Sequence, residues 1–291
     1  MLSKLFAFAE AFCQSVFLTR ENACAEVQEG LVHHQDDQAD QTDGDFGCTR
    51  IGEPLQYNQQ NRGDHHRRQR YQDIDHRSAL LVHYASRHYF YVAFIEACPV
   101  TTIEEAETVF KTSDPACTLK GGERHALKID GFDFGNSPLE YKRPLVAGKD
   151  IIITTTNGTN AIRNVQKAEM MVLACLRNAS AVVGFLIGKN KDVVIVCSGT
   201  EGKFSMDDGL CAGMLLHLLK EKTPVERDDL GFLLERFYRN SAHDIFANLL
   251  DCFHVKRLLS LGFHEDLKFC FQTDRSTCIP MEIDGRFVRM G

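Results

Sequence analysis

The chain lacks the markers of several common protein classes. Its eleven cysteines contain no Cys-x-x-Cys pair, so no zinc ribbon is suggested. Scattered cysteines in a chain of 291 residues do not form a disulfide framework, and they read as buried or idle thiols of a reducing cytosol. Positive charge is not in excess: the formal net charge is −7, which does not favour a nucleic-acid partner. No apolar run reaches transmembrane length. Met1 to Leu18 is apolar around Lys4, but Glu10 interrupts it, and it does not read as a signal peptide. A protein of the cytoplasm, without a membrane partner, is expected. No Gly-x-Ser-x-Gly elbow marks a serine nucleophile, and no internal repeat is evident.

What remains is a globular composition, 44% hydrophobic and 25% charged, long enough to bury a full core as one large or two small domains. The composition changes near residue 90. Residues 1–90 hold ten glutamines, whereas residues 91–291 hold only Gln166 and Gln272. Between Val32 and Ser78 runs a polar stretch with His33-His34, Asp36-Asp37 and His65-His66-Arg67-Arg68. It shows almost no apolar period, so it cannot bury enough surface to offset chain entropy. A His-rich metal tract or a basic patch is the functional alternative to a disordered extension.

The later part reads as α/β. Thr102 to Phe110 predicts a short helix with a threonine cap and carboxylates in its first turn. Buried strands are predicted at Ile151–Thr155, Met170–Cys175 and Asp192–Cys197. Helices are predicted at Asn160–Ala168 and Asn178–Gly188, the latter closed by Gly188. This alternation implies a three-layer α/β/α architecture with a mostly parallel sheet. The C-terminal part is mainly helical. Asp207 to Glu221 carries Leu210, Met214 and Leu218 on one face, and Ser241 to Leu261 reads as one amphipathic helix stopped by Gly262.

Between Gly121 and Thr159 lie three polar, glycine-bearing turns. They are Gly121-Gly122-Glu123-Arg124, Gly131-Phe132-Asp133-Phe134-Gly135-Asn136-Ser137-Pro138 and Thr154-Thr155-Thr156-Asn157-Gly158-Thr159. The last follows the run Ile151-Ile152-Ile153, so its hydroxyls and amides sit at a strand end, where open α/β sheets bind anions. Arg124 offers a planar fork suited to phosphate, sulfonate or carboxylate, while Glu123 either binds metal or orients it; a surface ion pair is the bland alternative. Asn136 and Ser137 suit a helix cap at Pro138, a role compatible with an anion site. Asp207-Asp208 follows the strand ending at Cys197 and a glycine-bearing turn; it serves either the helix dipole or a metal.

Together these turns, with Gly199, Thr200, Gly202, Ser205, Asp207 and Asp208 in a Gly-Thr-x-Gly-x-x-Ser-x-Asp-Asp pattern, resemble the 2-phosphosulfolactate phosphatase family. The resemblance covers about residues 95–291. It implies magnesium-dependent hydrolysis of (R)-2-phospho-3-sulfolactate to 3-sulfolactate and phosphate, a step towards coenzyme M. It implies catalytic roles for Glu123, Arg124 and Asp133. Substrate contacts fall to Asn136, Ser137, Thr155, Thr156, Asn157, Gly158, Thr159, Gly199, Thr200 and Ser205, and Mg2+ to Asp207 and Asp208. The expected partner is a small phosphorylated sulfonate or carboxylate, and a homo-oligomer is left open. The region 91–291 is the phosphatase-like part, with one or two sub-domains.

The family's opening strand reads like Val-Ile-Asp-Val-Leu-Arg-Ala-Thr-Ser-Thr-Ile, and residues 1–90 hold no such segment. Back-translation of Arg77 to Tyr89, read from the third base of each codon, permits Ile-Arg-Ala-Thr-Ser-Thr-Leu, two free positions, then Thr-Ala-Leu. Ile74-Asp75 stands just upstream. The simplest account is an out-of-frame translation within residues 1–90, with the family frame resuming between Tyr89 and Cys98. The alternative to an active phosphatase is therefore a catalytically impaired pseudoenzyme or a binding module for a small phosphorylated anion.

Overall fold

In the computed structural model, residues 15–19, 78–82 and 96–290 are described. The polar stretch from Val32 to Arg77, with Ile74-Asp75, lies outside the described residues. So does most of Met1 to Leu18.

The strands are β1 (Ser15–Thr19), β2 (Ser78–Val82), β3 (Glu96–Pro99), β4 (Thr118–Arg124), β5 (Leu127–Lys128), β6 (Asp150–Thr154), β7 (Met171–Ala174), β8 (Val193–Cys197), β9 (Glu226–Arg227), β10 (Ile279–Ile283) and β11 (Arg286–Met290). The helices are α1 (Ile103–Lys111), α2 (Arg143–Val146), α3 (Gly158–Asn164), α4 (Ala179–Lys189), α5 (Met206–Lys222), α6 (Asp229–Ser241), α7 (Ile245–Leu249), α8 (Phe253–Ser260) and α9 (His264–Cys270). The strands line up in the order β5-β4-β6-β3-β11-β10-β7-β2-β8-β1-β9.

The sheet is mixed. One parallel block runs β4-β6-β3 and a second runs β7-β2-β8. Between them the β10–β11 hairpin inserts antiparallel to both neighbours. Its tight turn places Asp284 and Gly285 at positive φ. The α/β fold is as expected, but the sheet is mixed rather than mostly parallel, because the β10–β11 hairpin, β1 against β8 and β9, and β5 against β4 all pair antiparallel.

Both faces of the sheet are buried, as the unbroken apolar runs require. Ile151 and Ile153 pack with Val194 and Val196 on one side, while Ile152 packs with Val100, Ala106 and Phe132 on the other. Val193, Ile195 and Cys197 face α4 and α5 through Val182, Leu186, Leu210 and Leu215. Burying each such aliphatic side chain stabilises the fold by about 2 kcal/mol. The first helix forms as expected: Thr102 caps α1 by accepting the Glu105 N–H at 3.0 Å.

Three expectations are corrected. Gly188 does not close α4; Asn190 does, in the left-handed conformation at φ 56°. The span Ser241–Leu261 is not one helix. Asp244 leaves the helical conformation and its side chain accepts the Ala247 N–H at 2.9 Å, starting α7 afresh, and extended Cys252 starts α8. Phe253 is accordingly 70% exposed rather than in register with a core stripe. Finally, α5 buries more than one face. Leu215 and Leu216 are buried with Leu210 and Met214, while Leu218 is only half-buried. Gly213 permits this, since a Cβ there would stand 2.1 Å from the Leu234 carbonyl oxygen of α6.

Candidate active site

The carboxyl ends of β6 and β8 open into a cleft of about 400 Å³. It is lined on one side by Thr156, Asn157, Asn160 and Asn164 of the β6–α3 turn and helix, and on the other by Ser198, Glu201 and Gly202. This is where the sequence pattern places it, beyond the ends of parallel strands.

The β6–α3 turn is held from beneath. Glu123, at the end of β4, is 6% exposed, and its Oε1 accepts the Thr156 N–H at 2.7 Å. Its Oε2 accepts the Ala126 N–H at 2.8 Å and the Thr156 hydroxyl at 3.1 Å. Thr155 and Thr159 are turned onto each other. The Thr159 N–H donates to Thr155 Oγ1 (3.2 Å), and the Thr159 hydroxyl donates to the Thr155 carbonyl (2.9 Å). The threonine string therefore shapes the turn with most of its hydroxyls, and the amides of Asn157, Asn160 and Asn164 form the wall of the cleft.

The opposite wall is a tight loop. Gly199 adopts φ 70°, and a Cβ there would come within 2.4 Å of the Lys203 carbonyl oxygen, so only glycine fits. Thr200 and Lys203 exchange backbone hydrogen bonds at 3.0 Å. The two walls meet where the Glu201 N–H donates to Asn157 Oδ1 at 3.0 Å. Glu201 in turn pairs with Arg257 of α8 at 2.6 Å, which brings a cation to the rim.

Behind the loop, α5 begins with two buried carboxylates. Asp208 Oδ2 accepts the Gly199 N–H at 2.6 Å, and Asp207 Oδ1 accepts the Ser205 hydroxyl. That hydroxyl lies 3.0 Å from Thr200 Oγ1. Asp207 and Asp208 are 1% and 2% exposed. Among the described residues, no group of three His, Cys, Asp or Glu side chains gathers to hold a metal.

The remaining residues singled out in the sequence stand apart from the cleft. The Arg124 guanidinium donates to the Glu123 carbonyl (2.7 Å), to Thr101 O (3.1 Å) and to Thr154 Oγ1 (2.9 Å). Asp133 is exposed and closes its own loop by accepting the Lys120 N–H at 2.8 Å. Asn136 and Ser137 are buried; Ser137 Oγ accepts the Leu139 N–H at 3.2 Å, and Asn136 Oδ1 has no hydrogen-bond partner among the described residues. The sequence reading did not single out Ser198, Asn160 or Asn164. All three lie one residue past β8 or inside α3, and their proximity to the threonine turn is the signal that would have found them.

Cysteine is not activated at several positions near this region. Burial holds the Cys211 thiol well above its ordinary value, with Asp208 and Asp207 adding repulsion. Burial, reinforced by Asp207, pushes Cys252 up to about 11.

The layered sheet defines an α/β protein with a polar cleft at its strand ends. Residues 92–284 match the 2-phosphosulpholactate phosphatase family, and the chain belongs to it, a family of phosphoric monoester hydrolases. The chain is 47% identical over 193 residues to a probable 2-phosphosulfolactate phosphatase of Caldanaerobacter subterraneus subsp. tengcongensis, covering 65% of this chain and 79% of the relative. A probable 2-phosphosulfolactate phosphatase of Clostridium perfringens is 44% identical over 174 residues, covering 59% and 70%. One from Thermotoga petrophila is 40% identical over 193 residues, covering 65% and 80%. No helix among the described residues is long and apolar enough to cross a membrane.

Proposed function

We propose that the protein hydrolyses the phosphate ester of (R)-2-phospho-3-sulfolactate with the aid of Mg2+. The observation that carries this reading is the cleft itself. It holds about 400 Å³, has neutral donors on both walls, and lies one loop away from two buried carboxylates. Membership of a family named for 2-phosphosulpholactate supports this choice of substrate.

The donor chemistry fits a hard dication. Magnesium binds oxygen, needs only one or two carboxylates and keeps several waters. Asp207 and Asp208 would hold it. When bound, it would neutralise charge on the phosphoryl oxygens and lower the pKa of a coordinated water. The protein's own groups do the rest. Asn157, Asn160 and Asn164 offer amides to a multiply anionic ligand, and Arg257 brings a cation to the rim. Glu123 fixes the turn, because both its oxygens are already engaged. The reading predicts magnesium-dependent phosphate release from 2-phosphosulfolactate, and slower release from 2-phospholactate, which lacks the sulfonate. Equal rates on the two esters would rule out the substrate assignment.

A second reading concerns this chain as it stands. Strand β2 lies between β7 and β8, and its last residue, Val82, is paired with Cys197 at the edge of the cleft. At this position the sequence Ser-Ala-Leu-Leu-Val carries one hydroxyl and no charge. The alternate frame would bring an arginine and three hydroxyls to the same strand. Turnover by the chain as it stands is therefore expected to be impaired, with ligand binding retained on the two walls.

A further inference from the structure

We infer that the Ser198 hydroxyl is a direct donor to the phosphoryl group in the cleft, a role that rests on the phosphatase reading above. Ser198 is the first residue after β8 and lines the cleft while being only 8% exposed. Its Oγ is buried and makes no hydrogen bond among the described residues. A buried hydroxyl without a partner is uncommon and costly, and one at a ligand site points to the ligand as the missing partner.

The neighbouring polar side chains each make at least one hydrogen bond within the protein. The Thr156 hydroxyl donates to Glu123, Asn157 Oδ1 accepts from Glu201 N–H, and Asn160 Nδ2 donates to the Thr156 carbonyl. Asn164 and Cys197 also have partners. Among the described side chains that line the cleft, Ser198 alone buries a polar atom with no hydrogen bond. Its backbone is also well fixed. The next residue, Gly199, has its N–H held by Asp208 Oδ2 at 2.6 Å, so the hydroxyl is presented without a floppy hinge. A hydroxyl held ready in this way meets an anion with little ordering left to do.

The test is a titration of the full chain with inorganic phosphate in the presence of magnesium chloride, followed by thermal unfolding. Three proteins are compared: wild type, Ser198→Ala and Ser198→Cys. Ser198→Ala removes an unpaired hydroxyl, so its melting temperature without phosphate should equal or exceed that of wild type. Its phosphate affinity should fall about tenfold, the loss of one charge-assisted donor, with Ser198→Cys in between. A structural role would give the opposite pattern, a lowered melting temperature with phosphate affinity unchanged, and would overturn the inference. If wild type responds to phosphate and Ser198→Ala responds equally, this inference alone falls. If wild type does not respond to phosphate, the phosphatase reading falls with it.

Discussion

The Glu123 carboxylate receives the Thr156 backbone N–H at 2.7 Å and the Thr156 hydroxyl at 3.1 Å, tying the end of β4 to the turn that forms one wall of the cleft. Residues 33 positions apart are joined by a carboxylate that accepts on both oxygens, since the Ala126 N–H also donates to it at 2.8 Å. Glu123→Gln keeps the shape but replaces one acceptor oxygen with a donor. Either Thr156 N–H or Ala126 N–H then faces an NH₂ group. Destabilisation of about 1–3 kcal/mol is expected, measurable by urea unfolding. An unchanged midpoint would show that the carboxylate does not hold the turn.

The thiols give a second expectation. Burial raises Cys252 to about 11 and Cys278 to about 12 from an ordinary 9.0, so at pH 8 about one Cys252 in a thousand is thiolate. Iodoacetamide at that pH should modify the exposed Cys117 and leave Cys252 and Cys278 intact, as mass spectrometry would report. The sign for stability follows. Both groups favour the neutral form in the fold, so their contribution is complete below pH 9.0 and is lost as pH rises towards 11 and 12. Stability that stayed level between pH 9 and 11 would contradict this.

The carboxylates at the start of α5 carry the metal proposal. Asp208→Asn keeps an acceptor for the Gly199 N–H but removes charge. The fold should survive, while magnesium-induced thermal stabilisation and metal-dependent phosphate release drop by about a hundredfold or more. Chelation of wild type should have the same effect. Full activity after exhaustive chelation would remove magnesium from the account.

Much of the fold was legible because it rests on local patterns. The runs Ile151-Ile152-Ile153 and Val193–Cys197 have few ways to be buried other than as central strands. The Thr102 cap was equally local. The β10–β11 hairpin was not legible, since its place between two parallel blocks depends on partners about 190 and 110 residues away, Ala97 and Val172. The break at Asp244 was missed because an apolar period ran across a residue that prefers to cap. For the site, the order of motifs marked the two strand-end loops that flank the cleft. It could not reveal that Thr155 and Thr159 spend their hydroxyls on each other, or that Arg124 bonds Thr154 and Asp133 bonds the Lys120 N–H, outside the lining of the cleft.

A frame error would be visible in the nucleic acid. DNA across codons 77–89, read from the third base of each codon, should spell Ile-Arg-Ala-Thr-Ser-Thr-Leu, two free positions and Thr-Ala-Leu without a stop. This is the stretch that contains β2, the central strand of its block. Resequencing gene and transcript, with the intact mass of the expressed protein, decides it. A stop codon or a clean in-frame reading would show the segment to be genuine.

The measurement that bears most directly on the central claim is phosphate release from (R)-2-phospho-3-sulfolactate, with and without magnesium, by two proteins side by side. One is the chain as it stands; the other has codons 77–89 read in the alternate frame. The account predicts magnesium-dependent release by the second and much slower release by the first. Absence of release from both would contradict the phosphatase reading, and equal release would contradict the importance of the strand beside Cys197.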